Sequence, residues 1–313
     1  MPDFDGDLGS APPPARATRR PSTVIFLHGR GSNARKFAGP LLASLVHGHR
    51  TLRDALPHTK FIFPTAPLAR ATKYRRSVIH QWYDGSGDWE PEARGDMRHS
   101  IEHIHDLVRQ EVRALDGAGA GAGEAAAARR IVLAGISQGC AMALMSMLLW
   151  DGSALGAVVG ICGFMPLNAH LTALLGGGAE DGTRGSESDD DLVVFAADDA
   201  EDEEDTNSDQ VLSPLQRAVA DLREEAELDE GRAAPSPLSF LSTPVFIGHG
   251  TDDQKVEFQH GEQAAALLRL MGLDVDFHEY QGLGHWYSAE MLEHIVNFLA
   301  DKGGLDQAIA TAS

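Results

Sequence analysis

Hydrophobic positions along the chain fall into short apolar runs separated by stretches of helical spacing. Thr23–His28 (TVIFLH) is a compact run of β-branched and aromatic residues that stops at Gly29. Further runs lie at Lys60–Phe63 before Pro64, Arg130–Ala134 before Gly135, Leu155–Ile161, Pro244–Gly248 and Val275–Tyr280. Runs without alternation predict strands covered on both faces, as in a parallel sheet. Between them the period changes. Met97, Ile101, Ile104, His105 and Val108 keep a helical spacing, and residues 259–270 and 289–299 do likewise. Repeated β-then-α order predicts an α/β fold: a doubly wound, mostly parallel sheet with helices on both faces and right-handed crossovers. Such a sheet places its site at the carboxyl ends of its strands.

Three stretches break the pattern and look unable to bury a core. Residues 1–21 form a Pro/Arg-rich tail, expected to be disordered. Residues 116–128 read DGAGAGAGEAAAA, a Gly/Ala connector. Residues 176–236 are an insertion dominated by acidic side chains. What remains is 218 residues, the size of one compact domain, so 22–313 reads as a single domain carrying two additions. The formal charge of −20 follows the same division. Residues 179–231 hold 20 Asp/Glu against 3 Arg, or −17, which leaves the body near neutrality at −3. Without a net basic field, nucleic-acid binding is disfavoured.

Inside the insertion, Leu212, Leu215, Val219 and Leu222 recur at helical spacing. Ser213, Pro214 and Gln216 supply an N-cap, a first-turn proline and a capping box, predicting a helix over 213–228. It either docks on the body as added structure or serves as a lid over an acyl pocket. Arg70, Lys73, Arg75 and Arg76 form a basic run that reads as a solvated loop, or as a partner for the acidic insertion or for anionic substrate groups. The two cysteines, Cys140 and Cys162, make no disulfide framework. No secretory h-region or apolar run of membrane-spanning length is visible. The expected location is cytoplasmic.

The strongest chemical signal is Gly135-Ile136-Ser137-Gln138-Gly139, which follows an apolar strand and precedes a helix-forming run. A sharp strand-to-helix turn needs glycines where backbones crowd, and it projects the serine from the sheet edge. A serine hydroxyl needs a base to take its proton, and the base needs an orienting carboxylate. His249-Gly250-Thr251-Asp252-Asp253 follows a strand and offers two aspartates. The fifth position of that motif, Asp253, is the chosen acid, with Asp252 as the alternative. His285, in the glycine-containing loop between the last strand and the last helix, is the base. Backbone N–H groups for an oxyanion are expected from Arg30, in His28-Gly29-Arg30-Gly31, and from Gln138. Trp82 and Trp286 are candidate substrate contacts. His99 and His103, with His105 nearby, have no cysteine or paired carboxylate to complete a metal site, and read as a solvated helix face.

Taken together, LHGRGSN (27–33), FIFPTAP (61–67), QWYD (81–84), GISQGC (135–140), GHGTDD (248–253) and YQGLGH (280–285) resemble the acyl-protein thioesterase and carboxylesterase family of α/β-hydrolases, in its fungal-type branch. The resemblance spans most of the 218-residue body. It implies Ser137 as nucleophile, Asp253 as acid, His285 as base, Arg30 and Gln138 as oxyanion donors, and no metal or organic cofactor. It also implies an acyl ester or S-acylated protein as substrate, with lysophospholipase activity as a variant of the same chemistry. The sequence departs from the pattern in the long Ser137–Asp253 spacing and in Trp286-Tyr287 after the base. A non-catalytic receptor or scaffold on the same fold is the rival class.

Overall fold

The computed structural model describes residues 21–46, 50–72, 75–85, 96–118, 123–176, 212–228 and 238–306. Strand β1 (Ser22–Leu27) leads into α1 (Ala34–Ala43), capped by the Asn33 side chain accepting from the Lys36 N–H at 2.9 Å. A short antiparallel corner, β2 (Leu45–Val46) with β3 (Arg50–Thr51), precedes the single turn α2 (Leu52–Ala55) and β4 (Thr59–Ile62). The hairpin β5 (Leu68–Ala71)–β6 (Ser77–His80) follows, then α3 (Arg98–Ala118) and α4 (Glu124–Ala128). Next come β7 (Ile131–Ile136), α5 (Gln138–Leu148), β8 (Ala157–Ile161), α6 (Asn168–Gly176) and α7 (Pro214–Glu225). The chain closes with β9 (Val245–Gly250), α8 (Phe258–Leu270), β10 (Val275–Tyr280) and α9 (Ala289–Asp301).

The central sheet has six strands in the order β10-β9-β8-β7-β1-β4, every neighbouring pair parallel. From β1 the chain steps outward to β4, then returns to lay β7 on the other side of β1. Strand order therefore reverses between β1 and β7, and the crevice beyond their carboxyl ends is where an open α/β sheet places its ligands. Strand alternation divides the core into two layers. On one side Val24, Phe26, Val132, Ala134, Val159 and Phe246 pack with α1, α2 and α9. On the other Ile25, Leu27, Ile131, Leu133, Val158 and Ile247 pack with α3, α5, α7 and α8. This two-sided burial is why the inner strands β1, β7, β8 and β9 carry no polar face, whereas the outer strands β4 and β10 keep polar residues at solvent-exposed positions.

Several expectations change on contact with the structure. The basic run 70–76 is not a plain loop: Arg70 lies on β5, and Arg75 and Arg76 form the hairpin turn with left-handed φ of 52° and 63°. Lys73 lies outside the described residues. The Gly/Ala connector is only partly a connector. Residues 116–118 finish α3, and α4 buries Ala127 and Ala128 in the core, while 119–122 lie outside the described residues. His99 and His103 are exposed, but His105 is not on the solvated face. It is buried against Trp150, and its Nε2 sits 2.8 Å from the Ser146 carbonyl.

Within the insertion, α7 forms with the expected cap. The Gln216 N–H donates to Ser213 Oγ at 3.2 Å, and the Ser213 N–H donates to Gln216 Oε1 at 2.8 Å. Its apolar stripe turns inward. Val219 and Leu222 are fully buried in the layer shared with α5 and α8, and His170 of α6 meets Asp221 at 2.7 Å. Leu212, the first residue of the stripe, stays 44% exposed, and Leu215 is partly buried against the same core. The N-terminal tail through residue 20 and insertion residues 177–211 and 229–237 lie outside the described residues. No helix among the described residues is long and apolar enough to cross a membrane.

Candidate active site

A cavity of about 450 Å³ opens at the β1/β7 crevice, and Ser137, His285, Arg30, Gln138, Phe37 and Trp286 are among its lining residues. Ser137 occupies the one-residue turn between β7 and α5 with φ 58° and ψ −124°, a region an L-residue adopts at a cost of about 1–3 kcal/mol. The surroundings leave the turn no alternative. A Cβ on Gly135 would run into the Gly139 carbonyl and come within 2.6 Å of Cys140 N. A Cβ on Gly139 would overlap the Leu27 carbonyl group and come within 2.8 Å of His28 O. The two glycines thus let α5 start directly over the ends of β7 and β1, with Ser137 held between them. The Ser137 N–H donates to Ile161 O at 2.9 Å.

The loops after β9 and β10 are zipped together. The Asp252 N–H donates to Leu283 O at 3.0 Å, and the Gly282 N–H to Thr251 Oγ1 at 2.9 Å. This brings His285 Nδ1 to 2.7 Å from Asp253 Oδ2. Asp253 Oδ1 accepts the N–H groups of Lys255 at 2.9 Å and Val256 at 3.1 Å. Burial alone would raise the Asp253 carboxyl. The side-chain donors His249 and His285 and the N–H groups of Val256 and Lys255 outweigh it and hold the group well below the usual carboxylate range. Asp252, the alternative acid, is exposed, and its Oδ1 accepts the Thr251 hydroxyl at 3.2 Å.

The glycine loop after β1 is positioned by a residue that sequence reasoning passed over. Buried His28 accepts the Ala66 N–H on Nε2 at 3.1 Å, so its proton sits on Nδ1 and is donated to Gly29 O at 2.8 Å. Burial lowers the affinity of this ring for a second proton. Arg30 stands over the Tyr83 ring, and its Nη1 donates to Gly85 O at 3.3 Å. The Gln138 side chain is tied at both ends, accepting the Trp82 N–H at 3.1 Å and donating to Tyr83 O at 2.8 Å.

Trp82 is therefore not where a substrate contact would be. It is 3% exposed, does not line this cavity, and donates its indole N–H to His28 O at 2.8 Å. Its part is to brace the loop that carries Gly29 and Arg30. Trp286 does line the cavity, stays 45% exposed, and meets Phe37 edge-on at 6.3 Å. No residue of α7 lines the cavity. Among the described residues no group of three His, Cys, Asp or Glu side chains is arranged to hold a metal ion.

Both cysteines flank the site from below. Cys162, with φ 45°, donates its S–H to Trp286 O at 3.3 Å, and Cys140 is buried in α5. Burial pushes both thiols up to about 12, so neither carries appreciable thiolate at neutral pH. Iodoacetamide at pH 8 is accordingly expected to leave hydrolysis by the native protein unchanged. It should alkylate both residues only after denaturation, as peptide mass mapping would show.

The sequence profile described as phospholipase/carboxylesterase matches residues 15–176 and 232–302. Acyl-protein thioesterase 1 of Debaryomyces hansenii is 25% identical over 292 residues, covering 91% of this chain and 94% of that protein. Acyl-protein thioesterase 1 of Neurospora crassa is 28% identical over 291 residues, covering 91% and 88%. The crystal structure of Arabidopsis thaliana SOBER1 superposes with a TM-score of 0.58 at 18% identity, covering 90% of this chain and 98% of that one. With a profile match over most of its length and this sheet beneath it, the chain belongs to the phospholipase/carboxylesterase family of α/β-hydrolases and is a serine ester or thioester hydrolase.

Proposed function

We propose that the protein cleaves acyl esters or thioesters, S-acylated proteins among them, through a Ser137–His285–Asp253 triad and an acyl-enzyme intermediate. The observation that carries this reading is the 2.7 Å contact between His285 Nδ1 and buried Asp253 Oδ2, at the wall of the cavity that exposes Ser137. With its Nδ1 proton engaged by an ionised carboxylate, His285 has Nε2 left to accept the Ser137 hydroxyl proton as Oγ attacks the acyl carbonyl. The same nitrogen returns the proton to the departing alcohol or thiol. It then activates water to release the acid. The N–H groups of Arg30 and Gln138 receive the oxyanion, Gln138 at the first position of α5 where the helix field favours negative charge. The acyl chain lies along Phe37 and Trp286. A thiolate leaves readily, so one site serves both bond types. The names of the fungal relatives favour acylated proteins over lysophospholipids as substrates, and a cytoplasmic location suits such targets.

The test is labelling by a fluorophosphonate probe with peptide mapping. Label is expected on Ser137 in the wild type and none on a folded Ser137→Ala variant, with hydrolysis of a palmitoyl thioester falling by about 10⁴-fold or more. A folded wild type that takes no label would overturn the triad.

A further inference from the structure

The triad leaves one buried histidine next to it unused. His249, in β9, is fully buried, with its ring edge-on to Phe258 at 5.9 Å. Its Nε2 lies 3.0 Å from Val256 O and 3.3 Å from Asp253 Oδ2. Both neighbours are acceptors, so the proton of this ring sits on Nε2 and is shared between them. Its Nδ1 is buried and has no hydrogen-bond partner among the described residues. On α8 it faces Gly261, where a Cβ would collide with the ring. Asp253 Oδ2 is therefore approached by two imidazoles, His285 at 2.7 Å and His249 at 3.3 Å. The other titratable groups around the pair are the Cys162 thiol beyond β8 and His260 on α8.

We infer that His249 is a positioning residue for the triad acid, donating its Nε2–H to Asp253 Oδ2 and Val256 O so that the carboxylate presents one fixed oxygen to His285. The inference rests on the triad reading above. Its physical content is twofold. Oδ1 is held by two backbone N–H groups of the 253–256 loop, and His249 ties that loop to the end of β9 through Val256 O. Without it, Oδ2 keeps His285 as its one imidazole partner, the residue it is meant to orient, beside the weaker Cys162 thiol. The shared N–H also takes part of the negative charge that Oδ2 offers to His285. With that donor removed Oδ2 presents its full negative charge to His285, and the acid limb of the pH profile reads the difference.

The experiment uses the full chain carrying His249→Phe, His249→Gln or Gly261→Ala. For each, kcat, KM and the pH profile of kcat/KM are measured on an acyl ester, alongside the downfield proton resonance of the His285–Asp253 hydrogen bond. His249→Phe is expected to lower kcat roughly 10- to 100-fold with little change in KM. It should also move the acid limb of the profile to higher pH and shift the downfield proton. His249→Gln, which keeps an N–H donor, should recover most of the loss. Should His249→Phe fail to fold, Gly261→Ala carries the test, because it keeps the imidazole but displaces it from Oδ2 and should move the same limb. A folded His249→Phe with unchanged kcat, limb and proton would overturn the inference. So would equal losses in the Phe and Gln variants with limb and proton unmoved, since that pattern is packing alone. The proton resonance does not depend on turnover. A failed triad would appear separately, as a wild type that takes no probe on Ser137.

Discussion

Asp253→Asn is expected to lower kcat about 10⁴-fold while leaving KM and the fold largely intact. The reason lies in how many donors converge on one carboxylate. Oδ1 accepts two backbone N–H groups, and Oδ2 faces the ring nitrogens of His285 and His249. An asparagine has a single carbonyl oxygen, and the two fixed backbone donors claim it. Its NH₂ then points at His285 Nδ1, which must give up its proton and accept, moving the ring proton to Nε2. That tautomer cannot take a proton from Ser137. Turnover of a chromogenic acyl ester and the rate of fluorophosphonate labelling should fall together, and a loss smaller than about tenfold would contradict the role given to Asp253. A pH signature accompanies it. A carboxylate whose folded value is depressed stabilises the native state above its ordinary value of 3.8, and that contribution is lost as pH falls through the folded value. The stability gap between wild type and variant should therefore narrow in strong acid.

Gly139→Ala is expected to be among the most damaging single-methyl additions in the molecule. Its Cβ would overlap the Leu27 carbonyl group and come within 2.8 Å of His28 O, and none of these atoms is the end of a flexible side chain. They belong to the end of β1, which is bonded to β4 and β7 along its length. Relief requires α5 to lift from the sheet, taking Ser137 and Gln138 with it. The cost is about 4 kcal/mol or more, in the exceptional tail for a point substitution. Chemical denaturation should show this loss, with no probe labelling in whatever folds. A stable and active variant would mean that the β7–α5 turn is far softer than its contacts indicate.

How much of this could be read from the chain depends on the range over which each feature is determined. The strands were legible because two-sided burial leaves continuous apolar runs, as in IVLA before Gly135. The loops that carry Ser137 and His285 were legible because local turn chemistry marks them. The β5–β6 hairpin was not, because its turn uses Arg75 and Arg76 in left-handed conformations where a sequence argument looks for glycine or asparagine. Trp82 was misread for a different reason. An aromatic beside a motif reads as a substrate contact, and only the tertiary arrangement reveals that His28 O takes its indole N–H. His28 and His249 share one signature, a histidine before glycine at a strand's carboxyl end. A search for buried imidazoles at those two places would have found them.

The backbone at Ser137 bears on how such a chain ages. Glycine would accept φ 58° freely. A lineage drifting under selection for thermal robustness alone would gain stability by that one replacement and, on the function proposed above, lose its nucleophile. Serine at this left-handed position beyond the end of β7 is thus a running penalty unless hydrolysis offsets it, and a descendant that had lapsed into a mere binder would shed it early.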